Sequence, residues 1–211
     1  MFTLSTLDPL IAVRSLLKHP FYQKWSKGEL ALEDLKIYAK EYYHLVERVP
    51  GMVSRVRASA DGDSVLSTAI DVNIREETEH IELWETFATS LGITGDELTG
   101  HEPSRMVRHA VKTLEDTCAR GLDEGVAAMY ALEREIPAIA RTKQQGLREF
   151  YGLSSDDAHA YFTQHLHEDK HLAVWLSVPV DRDRATAAAR TSIEAQNEVL
   201  DAVCAACEIQ S

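Results

Sequence analysis

The sequence predicts a single all-α domain, a bundle of about six or seven helices. Three observations carry that reading. Apolar residues recur at spacings of three and four almost throughout the 211 residues. Ten glycines and six prolines are too few for an all-β chain with its many tight turns. Runs rich in Ala, Leu, Glu and Arg favour helix, and strand-like alternation is absent. The length suits one good-sized core over residues 1–211; two domains would each be small.

Taken in order, Leu32, Leu35, Tyr38, Ala39, Tyr42, Leu45, Val46 and Val49 mark a first long helix, which Pro50-Gly51 kinks or breaks. A second should cover residues 64–91 and stop at Gly92. Pro103-Ser104 starts a third. A fourth should run over 122–151, interrupted or kinked around Pro137 and stopped by Gly152. Ser154 or Ser155, with two acids following, can N-cap a fifth that continues to about 177, before Pro179. The last covers 181–208. No internal repeat, low-complexity tract or domain linker interrupts this order.

Composition narrows the function. The chain has 22 basic and 34 acidic residues, a net charge of −12, and no basic block. Such a chain repels phosphate backbones, so no nucleic-acid partner is expected. Residues 1–14 lack a basic start, and Asp8 and Pro9 interrupt their apolar run, so they do not read as a signal peptide. No stretch approaches the ~20 apolar residues of a membrane span. Three cysteines, Cys118, Cys204 and Cys207, fit a reducing compartment. A cytoplasmic protein without a membrane partner is therefore expected. Cys204 and Cys207 form a lone C-x-x-C, which reads as two thiols on a terminal helix.

Three polar segments break the helical pattern. In Arg75-Glu76-Glu77-Thr78-Glu79-His80, Glu77 and His80 are three apart and share a helix face, as Glu76 and His80 could. Glu-x-x-His on a helix is the spacing that carboxylate dimetal sites use in bundles. The second segment holds Glu133 ahead of Pro137. The third, His165-Leu166-His167-Glu168-Asp169-Lys170-His171, is the densest histidine cluster in the chain. Each alone is compatible with a solvated helix face. Together, on three helices, they point to a metal site whose oxygen and imidazole donors suit iron or manganese more than structural zinc.

The segment His19-Pro20-Phe21-Tyr22-Gln23-Lys24-Trp25-Ser26-Lys27-Gly28-Glu29-Leu30, followed by Tyr38-Ala39-Lys40-Glu41-Tyr42-Tyr43, resembles the opening of PqqC/TenA-like proteins of the haem-oxygenase-like fold. The resemblance continues through His80-Ile81-Glu82-Leu83-Trp84, Gly125-Val126-Ala127-Ala128, Glu133 to Gly146-Leu147, and Tyr161-Phe162-Thr163 before His165. It points to the CADD-like branch of that group. It implies a seven-helix bundle, a homodimer and a dimetal centre of two Fe ions or an Mn/Fe pair. The implied ligands are Glu77, His80, Glu133, His165 and Asp169.

Two departures stand out. Only two residues separate Glu77 from His80, a spacing that resembles the decarboxylating and desaturating branches. The family's last histidine falls where this chain has Leu172, and His171 comes one residue early. On an ideal helix His165 and Asp169 lie about 40° apart, whereas His171 is about 160° from Asp169. His171 can then be the sixth ligand only if the helix is distorted; Glu168 and His167 are the alternatives on a regular helix.

The CADD-like branch is linked to para-aminobenzoate for folate. The resemblance implies an O₂-dependent reaction in which a tyrosine of the protein becomes the product, a lysine donates nitrogen and an external reductant supplies electrons. The matching positions are Tyr22, Tyr38 and Lys143. Tyr22 and Tyr38 could equally be core aromatics, and Lys143 a surface lysine. Rival readings are a dimetal oxidase acting on a separate amino or fatty acid, a metal-free PqqC/TenA-like enzyme and a non-enzymatic binding module.

Overall fold

The computed structural model describes residues 2–60, 62–167 and 169–209, with the side chain of Asp169 outside that description. Among these residues there are twelve α-helices and no strand. They are α1 (Asp8–Val13), α2 (Pro20–Trp25), α3 (Leu32–Val46), α4 (Val49–Ser59), α5 (Ser64–Ser90), α6 (Gly95–Thr99), α7 (Arg105–Cys118), α8 (Leu122–Glu133), α9 (Ile136–Glu149), α10 (Asp156–Gln164), α11 (Asp169–Leu176) and α12 (Arg182–Ala206). None of the described helices is long and apolar enough to cross a membrane.

Local chemistry sets most of the ends. Asp63 caps α5 by accepting from the backbone N–H groups of Val65 and Leu66, and Gly92 follows the helix at φ +82°. Ser104 caps α7 and Ser155 caps α10 in the same way. Pro50 lies in the first turn of α4 and Pro137 in the first turn of α9, where a missing N–H costs nothing. The first and fourth expected helices are thus each split in two beside a proline.

The fifth expected helix also divides, and here the sequence reading needs correction. Residues 154–177 do not form one helix: α10 ends at Gln164, His165 is its C-cap, and α11 begins at Asp169. No proline or glycine marks the break, so helical spacing could not show it. The three shortest helices, α1, α2 and α6, were not foreseen either; five or six residues hold too little periodicity to register.

Burial follows from residue size. Every residue of α8 from Gly125 to Glu133 is buried, so this helix is central. A Cβ at Gly125 would lie 2.8 Å from Val56 Cγ2 and 3.0 Å from the Cys118 carbonyl oxygen, which shows how closely α8 approaches its neighbours. α12 presents Ala185, Ala188, Ala189, Ala195 and Ala202 to α7 and α8. One apolar cluster fills the space between α4, α7, α8 and α12. A second, rich in aromatics, joins α2, α3, α5 and α10 through Phe21, Tyr22, Trp25, Tyr38, Trp84 and Phe162, with Ile139, Ala140 and Leu147 of α9. The buried stripe of α5 runs Ile70, Asn73, Glu77, His80, Trp84 and Phe87, and turns polar in its middle. A polar patch inside an apolar stripe has to be compensated by partners.

Candidate metal centre

Those partners come from three other segments. Glu133, the last residue of α8, is 2% exposed. His165, at the end of α10, and His171, in α11, are equally enclosed. Glu77, His80 and His165 place one ligand atom each within 4.8 Å of one another, and so do Glu77, Glu133 and His171. The two triplets share Glu77. A carboxylate common to two sets of oxygen and imidazole donors, all buried, is an arrangement that could hold a pair of metal ions. The donor set therefore fits a dimetal centre.

The triplets are held by hydrogen bonds. His80 Nδ1 is 3.2 Å from Glu77 Oε2, and the His80 and His165 ring centroids are 4.3 Å apart. His165 Nδ1 donates to the Tyr161 carbonyl oxygen at 2.7 Å, which directs Nε2 towards the cluster. His171 Nδ1 is 3.3 Å from Glu77 Oε1, while its Nε2 meets Glu76 Oε2 at 2.7 Å. Glu76 thus orients the ring from behind. Glu133 Oε2 accepts from the Trp175 indole at 2.6 Å. Burial by itself would push the Glu77 carboxyl up. Hydrogen bonds from His171 and His80, with the charges of His80 and His165, outweigh it and hold the group well below the usual carboxylate range.

His171 reaches the cluster because α10 and α11 are separate helices, so the 160° misfit of an unbroken helix does not apply. By the same token His165 and Asp169 do not sit on one regular helix. The Asp169 side chain and Glu168 lie outside the described residues. His167 is exposed and lines, with Glu76, Glu79, His80, Lys170 and His171, an open groove of about 340 Å³ on the solvent side.

On the inner side lies Lys143, 3% exposed on α9. Its Nζ donates to the Tyr38 hydroxyl. It sits 4.7 Å from the Tyr38 ring centroid, 5.1 Å from Tyr42 and 5.3 Å from Tyr22. Desolvation lowers the lysine well below its ordinary 10.5. The surrounding rings offset part of that cost but supply no counter-charge. Burial likewise raises the phenols of Tyr22 and Tyr38, both enclosed, and neighbouring tyrosines add to it. Among the described residues the Tyr22 hydroxyl has no hydrogen-bond partner of good geometry, although the Tyr38 hydroxyl is near enough to act against the rise in its pKa. Tyr22, Tyr38 and Lys143 are therefore all core residues, and Lys143 is not a surface lysine.

Two voids of about 30 Å³ each separate this box from the ligand cluster. One touches Lys143 and the other Glu77 and Glu133; both are lined by Tyr42, Leu132, Ile136, Tyr161 and His165. Tyr42, four residues after Tyr38, lines both voids, and burial pushes its phenol up to about 12. Tyr42, read from the sequence only as a helix marker and part of the family-like segment, and Trp175 were not among the candidate site residues. Their spacing of four from Tyr38 and from His171 is the signal that could have found them. The three cysteines are free thiols remote from both triplets in sequence, and burial raises Cys118 to about 12 and Cys204 to about 11.

An all-helical bundle whose buried carboxylates and histidines form two triplets about one shared glutamate defines the class. The chain belongs to the TENA/THI-4/PQQC family, whose model matches residues 8–206. It is 41% identical to the 4-aminobenzoate synthase of Chlamydia trachomatis serovar D and 39% identical to that of Chlamydia muridarum. Each match covers 79% of this chain and, respectively, 74% and 72% of the relative. A solved domain with a heme oxygenase-like fold from Shewanella denitrificans superposes with a TM-score of 0.85 at 17% identity, covering 99% of this chain and 95% of its own.

Proposed function

We propose that this protein is an O₂-dependent non-haem dimetal oxidase that makes 4-aminobenzoate from its own residues. The observation that carries the reading is the placement of Lys143. Its amine touches the Tyr38 hydroxyl inside a box of tyrosine rings, one small void away from the Glu/His cluster. In this reading Glu77, His80 and His165 hold one metal position, and Glu77, Glu133 and His171 the other. Two Fe ions, or an Mn/Fe pair, bound there would supply the electrons that O₂, inert towards closed-shell organics, needs for activation.

The chain's own groups do the rest. Burial favours the neutral form of Lys143, the form whose nitrogen lone pair can be donated. The Lys143–Tyr38 hydrogen bond fixes the phenol beside the amine, and Tyr22 completes the face of the box. An organic ligand of drug size needs a pocket of roughly 300 Å³ or more. On the Lys143 side the voids of about 30 Å³ have room for little more than O₂ or water, so a separate amino or fatty acid would have to reach the cluster from the open groove of about 340 Å³ beside His80 and His171. Small-molecule partners, O₂ and a reductant, are all the scheme calls for.

The test is metal-loaded protein given O₂ and reductant but no organic substrate. It should release 4-aminobenzoate, at most one per chain, with matching loss of mass from the protein. Ring-labelled tyrosine incorporated into the chain should appear in the product. Tyr22→Phe, Tyr38→Phe and Lys143→Arg should include variants that abolish product while metals stay bound. Unchanged yield in all three removes the self-sacrificing scheme. Many turnovers with an added substrate would assign the centre to that substrate instead.

A further inference from the structure

We propose that Trp175 is a positioning residue for Glu133, restricting that carboxylate to a single metal-facing oxygen. The proposal rests on the dimetal reading above and assigns a residue that the reading leaves without a role. The Trp175 indole N–H donates to Glu133 Oε2 at 2.6 Å, and both side chains are buried, at 0% and 2% exposure. This is a short N–H···O hydrogen bond between two buried side chains, in a region sheltered from water. Of the three tryptophans, Trp25 and Trp84 donate to backbone carbonyls, of Lys143 and Ala39; Trp175 alone meets a carboxylate.

The topology gives that bond its consequence. Glu133 ends α8 and belongs to the triplet with Glu77 and His171. Trp175 lies on α11, one turn after His171. The same helix therefore delivers a ligand and the donor that orients a second ligand to one metal position. With Oε2 held by the indole, turning that oxygen towards a metal would strain or break the bond, so the indole favours a single metal-facing oxygen. Outer-shell partners of this kind typically change metal affinity by about 10–100-fold when removed.

The test is titration of metal-free wild type and Trp175→Phe with Mn²⁺, following the free ion by EPR. Wild type should take up two ions per chain. The variant should bind one as wild type does and the other about 10-fold or more weakly. With Co²⁺, the visible d–d absorption of the variant should fall, as a freed Glu133 chelates and the coordination number rises. A tryptophan that only packs would lower the melting temperature of the metal-free protein and leave Mn²⁺ affinities and the Co²⁺ spectrum unchanged; that result overturns the proposal. Wild type that binds no Mn²⁺ overturns this proposal and the dimetal reading together. Two-site binding unaltered by Trp175→Phe overturns this proposal alone.

If the variant does not fold, wild type carrying ¹⁵N in its indoles provides the measurement. Diamagnetic Zn²⁺ should shift the Trp175 N–H resonance and leave that of Trp84 in place. A Trp175 resonance indifferent to both equivalents of Zn²⁺ overturns the proposal.

Discussion

Lys143 carries its amine into a space that offers rings and one hydroxyl, and this makes its protonation a folding problem as well as a chemical one. Its folded pKa lies well below the ordinary 10.5, so between the two values the unfolded chain binds the extra proton. Stability attributable to this residue is full above pH 10.5 and is lost as pH falls towards the folded value. Lys143→Met should therefore abolish 4-aminobenzoate yet leave the metal-free protein at least as stable at pH 7. Melts taken from pH 7 upwards should show the gap between variant and wild type closing. Glu77 has the same sign at the other end of the scale. Its folded pKa lies below 4.5, so its contribution is present above that pH and lost as acid protonates it. Glu77→Gln should cost the metal-free protein about 3 kcal/mol at pH 7, by removing the carboxylate that meets His80 Nδ1 and His171 Nδ1. Urea titrations at pH 7 and pH 3 should show that cost shrinking in acid.

The helices act on the site mainly by where they begin, end and touch. α5 carries Glu77 and His80, and Asp63 caps it with two accepted hydrogen bonds. Asp63→Ala should lower stability by about 1 kcal/mol, read as a shift in the urea midpoint at unchanged slope. α9 carries Lys143, and it lies against α2 because Gly146 has no side chain. A Cβ there would stand 2.6 Å from Trp25 Nε1, the group that donates to the Lys143 carbonyl. Gly146→Ala should cost about 1–3 kcal/mol through overpacking and should reduce 4-aminobenzoate yield by displacing Lys143. Thermal melts and the product assay check the two effects separately. The breaks matter as much as the helices. Glu133 and His165 both stand at helix ends, where the backbone turns and a side chain can be aimed inward without continuing the helical stripe.

At the scale of the whole molecule, four elements converge on one buried cluster, so bound metal should stabilise the entire fold. A ligand present at a hundred times its dissociation constant adds about 2.7 kcal/mol. Loading the metal-free protein with Mn²⁺ or Fe²⁺ should raise its melting temperature, and a chelator should return it; no change would count against a centre built from Glu77, Glu133 and the three histidines. Much of this arrangement was legible beforehand. Helical spacing, N-capping residues and the prolines at 50 and 137 act between chain neighbours, so they are written locally and predict the long helices and two of their breaks. Glu77 and His80 were legible for the same reason, three apart on one helix. The break after His165, the inward turn of His171, the grip of Trp175 on Glu133 and the burial of Lys143 were not. Each depends on groups separated by tens of residues meeting in a space emptied of water. Desolvation and close packing are properties of that space, and only the tertiary structure creates it.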